Sequence, residues 1–206
     1  MDWMFIFLSV VIVIFGLYTL GIGILGLARK RPFAFSARPL MWIMLLVFLP
    51  NVINSFIRLF SRWGRIDLFS ITMPFINLVL MIVLVFVFWR QMTGYMVFGV
   101  YDETFRDALT STLNKLNIPF QESISKIKLV ELDADLQAAV TAWMGTAQIR
   151  IKQSKHARYM KQIADGMNEY YTTTPVKVNN IAFIVYLILG ILMLLMAVVF
   201  IFSFRF

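Results

Sequence analysis

The sequence has no cysteine and, among 206 residues, a single histidine, His156. Without cysteine there is no disulfide, no thiolate nucleophile, no Cys-ligated zinc and no iron–sulfur cluster. His156 lies outside every hydrophobic block, which excludes a haem held within a membrane by histidine. Phosphate-cradling loops are missing too: Gly94 and Gly99 stand alone and fit neither the P-loop nor the dinucleotide fingerprint. Charge is scarce, at 15% of residues against roughly 25% in soluble proteins. Residues 3–28, 68–89 and 181–204 carry none at all.

Hydrophobic side chains fill that space, at 60% of the chain against roughly 45–50% for soluble proteins. A helix needs about 20 apolar residues to cross about 30 Å of hydrocarbon. The sequence therefore predicts four transmembrane helices, near residues 3–28, 40–61, 68–89 and 178–206, with a small α+β domain at 94–174 between the third and fourth. The first block reads as a retained anchor. It has Asp2 where a signal peptide carries positive charge, and it is far longer than the usual 7–15-residue apolar region.

Two of the helices carry patterns that invite interpretation. On the first, Gly16, Thr19, Gly23 and Gly26 share one face, where small residues let another helix approach closely. That partner is another helix of the chain or a second subunit. On the second, Pro50 should introduce a kink. Beyond it Asn51, Asn54, Ser55, Arg58 and Arg62 recur at helical spacing. Intramembrane polar groups face protein or water. The stripe therefore reads as an interfacial segment ending near Trp63, as a polar seam against the third helix with Asp67, Ser70 and Asn77, or as a pore lining.

From Tyr95 onward the pattern changes to that of a water-soluble core. Residues 95–101 read as a strand and Asp102 as the N-cap of a helix whose Phe105, Ala108, Leu109, Leu113 and Leu116 share a face. Asn117 and Pro119 end it. Strands follow at 120–124 and 126–132, then a hairpin of 136–143 and 146–152 around Met144-Gly145, with Trp143 expected in the core. A helix at 154–171 places Ala157, Met160, Ala164, Met167 and Tyr171 on one side. The order implies one antiparallel sheet under two helices, related to a ferredoxin-like sandwich without its βαββαβ order.

The net charge of +8 is localised beside the apolar blocks, at Arg29, Lys30, Arg31 and Arg38 and at Arg58, Arg62 and Arg65. Anionic lipid headgroups account for it without nucleic acid. An RNA-binding sheet is further disfavoured because Tyr95, Phe98 and Tyr101 divide between two faces. Counting basic residues near the membrane favours an external N-terminus and a cytoplasmic domain.

The remaining polar clusters read as structure. Asp133 and Asp135 suit a turn better than a calcium site. Asp102, Glu103 and Asp107 suit a helix N-terminus, and His156 suits a solvated surface. Lys152, Lys155 and Arg158 are candidates for contact with an anion or a partner. No catalytic, cofactor or metal residue emerges. Charge-free helices leave a proton relay nothing to use. The expected function is a non-catalytic membrane subunit, in a homo-oligomer or with other membrane subunits, whose domain docks a partner. The rival is a ligand-sensing oligomeric channel or membrane-perturbing effector; an interfacial lipid enzyme ranks third.

Overall fold

In the computed structural model, residues 3–61, 68–91, 94–123, 126–130, 133–151 and 157–203 are described. Four helices are long and apolar enough to cross a membrane: α1 (Trp3–Arg29), α2 (Arg38–Ser61), α3 (Leu68–Gln91) and α6 (Asn180–Ser203). The remaining elements are β1 (Phe33–Ser36), β2 (Tyr95–Phe98), α4 (Asp102–Lys115), β3 (Phe120–Ser123), β4 (Lys126–Leu129), β5 (Ala134–Thr141), β6 (Thr146–Ile151) and α5 (Ala157–Thr173). They divide into two compact units. One comprises residues 1–18, 38–92 and 190–206, the other 19–37 and 93–189. The second unit thus takes in the last turns of α1, the following loop and the first turns of α6, as well as the segment of soluble composition.

In the first unit α2 and α3 pack side by side. Helix α2 continues through Pro50 to Ser61. Phe56 and Phe75 meet edge to face with ring centres 6.0 Å apart. Much of the apolar surface, including Val79, Ile82 and Phe86 on α3, faces outward. Such a surface is stable in hydrocarbon and unstable in water.

The second unit is built on a six-stranded antiparallel sheet in the order β1-β2-β6-β5-β4-β3. Strand β1 was not foreseen. Its signal is a brief alternation, Phe33-Ala34-Phe35-Ser36, hidden in a basic loop too short to suggest a sheet. It pairs with β2 in the register Phe33↔Phe98 to Ser36↔Tyr95. Helix α4 buries Phe105, Ala108, Leu109 and Leu113, and α5 buries Met160, Ile163, Ala164, Met167 and Tyr171. Both stripes have the i, i+3, i+4 spacing of one helix face. They close over Val97, Leu129, Ala134, Leu136, Ala147, Ile149 and Ile151 of the sheet to form a single core.

Several local expectations need correction. Trp143 is not in the core but 77% exposed. The chain leaves the strand at Ala142–Met144 as a turn of 3-10 helix, which breaks the alternation that would have pointed Trp143 inward. Gly145, with φ of +60°, then reverses the chain. Asp102 does not cap α4. Tyr101 occupies the cap position without a side-chain hydrogen bond, while Asp102 pairs with Arg106 at 3.1 Å. Strand β2 stops at Phe98, because Gly99 takes φ of +78°. Ser154, where α5 was expected to begin, lies outside the described residues.

Candidate functional site

The two faces of the sheet are used differently. Val97 and Ala34 point to the core beneath α4 and α5. Their neighbours Phe98 and Phe33 point the opposite way, since successive strand side chains alternate, and there they meet α6. Phe33 stacks on Phe183 at 5.9 Å with ring planes 3° apart, and Phe98 meets Tyr186 edge-on at 5.3 Å. Phe183 is fully buried. Glycine makes its pocket possible: a Cβ on either Gly26 or Gly99 would run into the Phe183 ring.

Asn179 fastens this junction. It is 3% exposed and precedes α6. Its backbone N–H donates to the Gly99 carbonyl at 2.9 Å, and its side-chain Nδ2 donates to the Ala142 carbonyl at 3.4 Å. Its Oδ1 accepts from the Ile181 N–H at 3.1 Å, capping the first turn of α6. Gly145 lies so close that a Cβ there would meet the Asn179 side chain at 2.7 Å. One asparagine thus joins the ends of β2 and β5 to the start of a membrane-spanning helix. Sequence reasoning treated residues 172–180 as a connector and missed both Asn179 and Phe183. The available signal was an asparagine just before a long apolar run, facing two glycines at strand ends.

The glycine stripe of α1 is occupied within the chain. Gly23 approaches the Leu187 backbone so closely that a Cβ would lie 2.7 Å from its nitrogen, and Gly26 abuts Phe183. In the first unit, a Cβ on Gly16 would lie 3.1 Å from Leu194. Thr19 is buried.

The polar stripe of α2 forms part of a seam. Asn77 Nδ2 of α3 donates to Ser55 Oγ at 2.7 Å, and that hydroxyl donates to the Asn51 carbonyl at 2.7 Å. Arg58 is exposed, with its carbonyl accepting from the Ser61 hydroxyl at 3.2 Å. Asn54 is half-buried. Arg62, Trp63, Arg65 and Asp67 lie outside the described residues, as does the side chain of Ser70.

Arg158 is exposed near the start of α5, while Lys152, Lys155 and His156 lie outside the described residues. Asp133 has a positive φ of 40° and an exposed ion pair with Lys128 at 3.6 Å, as a turn residue would. Among the described residues no group of three or more His, Cys, Asp or Glu side chains could hold a metal ion.

Inside the core, the Tyr171 hydroxyl and Thr112 Oγ1 are buried without a hydrogen-bond partner among the described residues. Burial, with Tyr170 beside it, pushes the Tyr171 phenol well above its ordinary value. Among the described residues no carboxylate is buried beside these hydroxyls, and they read as packing.

The edges of the sheet also differ. Beside β1, Asn168 of α5 accepts from the Ala34 N–H at 2.7 Å and donates to the Ala34 carbonyl at 3.1 Å. The amide thus occupies the hydrogen-bonding positions of a further strand. Strand β3, with Gln121 exposed, forms the opposite edge.

The chain matches no known family, no curated protein and no solved structure, so the functional reading rests on this geometry.

Proposed function

We propose that the chain is a non-catalytic subunit of a membrane assembly, with a small α+β domain, distantly akin to a ferredoxin-like sandwich, that docks a partner protein. The unequal treatment of the sheet edges carries this reading. Exposed edges invite strand pairing, and proteins commonly cover them. Here Asn168 covers β1 while β3 ends the sheet, and strand addition at such an edge is a common mode of peptide recognition. Phe183 and Asn179 support the reading by holding the sheet on the first turns of α6, which presents β3 in a fixed setting. The basic residues Arg29, Lys30 and Arg31 favour a cytoplasmic setting for the domain.

A photo-crosslinker on Gln121→Cys, applied in native membranes, tests the docking. A discrete adduct to another membrane subunit is expected, and repeated recovery of an uncrosslinked monomer would sink the proposal. Thr173→Cys tests the orientation: it should resist an impermeant thiol reagent in intact cells.

The rival is a ligand-sensing oligomer, favoured by one observation. Asn179 ties the domain directly to α6, so a shift of the β5–β6 turn would reach the membrane helix. An adduct of the chain with itself, together with ion flux in liposomes, would promote it.

A further inference from the structure

The most exposed large aromatic side chain of the second unit is Trp143, and it lies beside the start of a membrane-spanning helix. The sheet gains nothing from it: at 77% exposure it buries little surface, and it belongs to a turn rather than to the core. Its position is nevertheless fixed. The carbonyl of the preceding residue, Ala142, accepts from Asn179, which caps α6. Gly145, two residues later, accepts from the N–H groups of Gly99 and Val100 at 2.8 and 3.1 Å. The turn is therefore pinned on both sides at the level where α6 begins.

That level can be read from α6 itself. Ile181 and Ile184, in its first turns, are exposed at 60% and 46%, and the helix is apolar from there to Ser203. Hydrocarbon must begin close to these residues, because exposed isoleucines there would otherwise face water. Lys177 lies two residues before Asn179 and places its ammonium 5.1 Å from the centre of the Tyr101 ring. An amphipathic ring and a cation at the end of an apolar span match the composition of the headgroup zone.

We infer that the Ala142–Gly145 turn is a membrane-surface anchor: Trp143 inserts into the headgroup region of the bilayer that α6 crosses. This inference is independent of docking at β3. It gives the turn an attachment of its own to the membrane, besides the covalent ones through α1, α2, α3 and α6.

The absence of native cysteine makes the test clean. Trp143→Cys and, as a control, Ser111→Cys on the exposed side of α4 would carry an environment-sensitive fluorophore in full-length protein. Both would be reconstituted in vesicles of phosphatidylcholine with a minority of phosphatidylglycerol. The label at position 143 should be quenched by lipids brominated high on the acyl chain and be severalfold less accessible to aqueous iodide than the label at 111. In a second arm without labels, wild type is compared with Trp143→Phe, and the emission lost on substitution should be the part that brominated lipid quenches. Equal iodide accessibility at both positions would overturn the inference. So would a label protected from iodide yet untouched by brominated lipid, because protein would then cover the turn.

Discussion

The two units of this chain use apolar side chains in opposite ways. In the sheet-containing unit, side chains such as Phe105, Leu109, Leu136 and Ile149 are almost wholly enclosed. In the helical unit only 6% of the span Thr72–Trp89 is buried. Hydrophobic burial drives the first arrangement, because leaving water is favourable. It cannot drive helix against helix in the second, where lipid is as apolar as the alternative, so close approach and a few hydrogen bonds must specify contact. Gly16 beneath Leu194 and Ser55 beneath Asn77 are contacts of that kind.

The sharpest way to break this contrast is to truncate the same residue type in both places. Phe105→Ala, in the enclosed core, should cost about 3–5 kcal/mol. Phe86→Ala, at 67% exposure on α3, should stay within about 0.5 kcal/mol. Thermal unfolding in detergent, followed by circular dichroism, measures both. Equal losses would mean that the outward face of α3 is packed in the detergent-extracted protein.

Close approach is tested next. Gly23→Leu drives a side chain into the Leu187 backbone and should cost about 1–3 kcal/mol. Gly21→Leu on the same helix has nothing within 4 Å of its Cβ and should be tolerated. If the two behave alike, the α1–α6 contact does not hold in the membrane.

A smaller effect, of opposite sign, is expected inside the core. Removing the unpartnered hydroxyl with Tyr171→Phe should stabilise the protein on the order of 1 kcal/mol. The pH dependence follows from the raised ionisation of that phenol. The folded state keeps Tyr171 neutral while the unfolded chain ionises near its ordinary value of about 10. The unfolded state therefore binds fewer protons above that pH, and stability falls as pH rises through it. Below that pH the contribution is constant. Stability curves of wild type and Tyr171→Phe should run parallel up to that point and then diverge, with wild type falling faster.

The smallest effect belongs to the polar seam. Asn77→Leu removes the bond to Ser55 and should cost about 0.6 kcal/mol, the average for hydrogen bonds between membrane helices. A loss of several kcal/mol would mean that the seam, rather than helix packing, holds α2 to α3.

The parts legible in the sequence were those with a long or strongly periodic signal. Four apolar blocks announced four helices, and the i, i+3, i+4 stripes of α4 and α5 announced their buried faces. The Met144-Gly145 reversal was legible because glycine marks a positive φ. Short or cross-chain signals were not. Strand β1 has four residues, too few for alternation to stand out, and its pairing with β2 spans about sixty residues of chain. Trp143 was misplaced because strand alternation was extended through a turn that only the local backbone could reveal. The junction was missed for the same reason, since Asn179, Gly99, Ala142 and Phe183 are unremarkable until the fold brings them together.

By itself, then, the sequence determined the solvent of each segment. Twenty consecutive apolar residues have no stable place in water, and an open sheet has none in hydrocarbon. It also determined where the covalent chain passes from one to the other. Tertiary structure decided which small residues of α1 face α6, which edge of the sheet Asn168 covers, and that Trp143 stands outside the core. These depend on contacts between residues distant along the chain, whose geometry is set by packing rather than by composition.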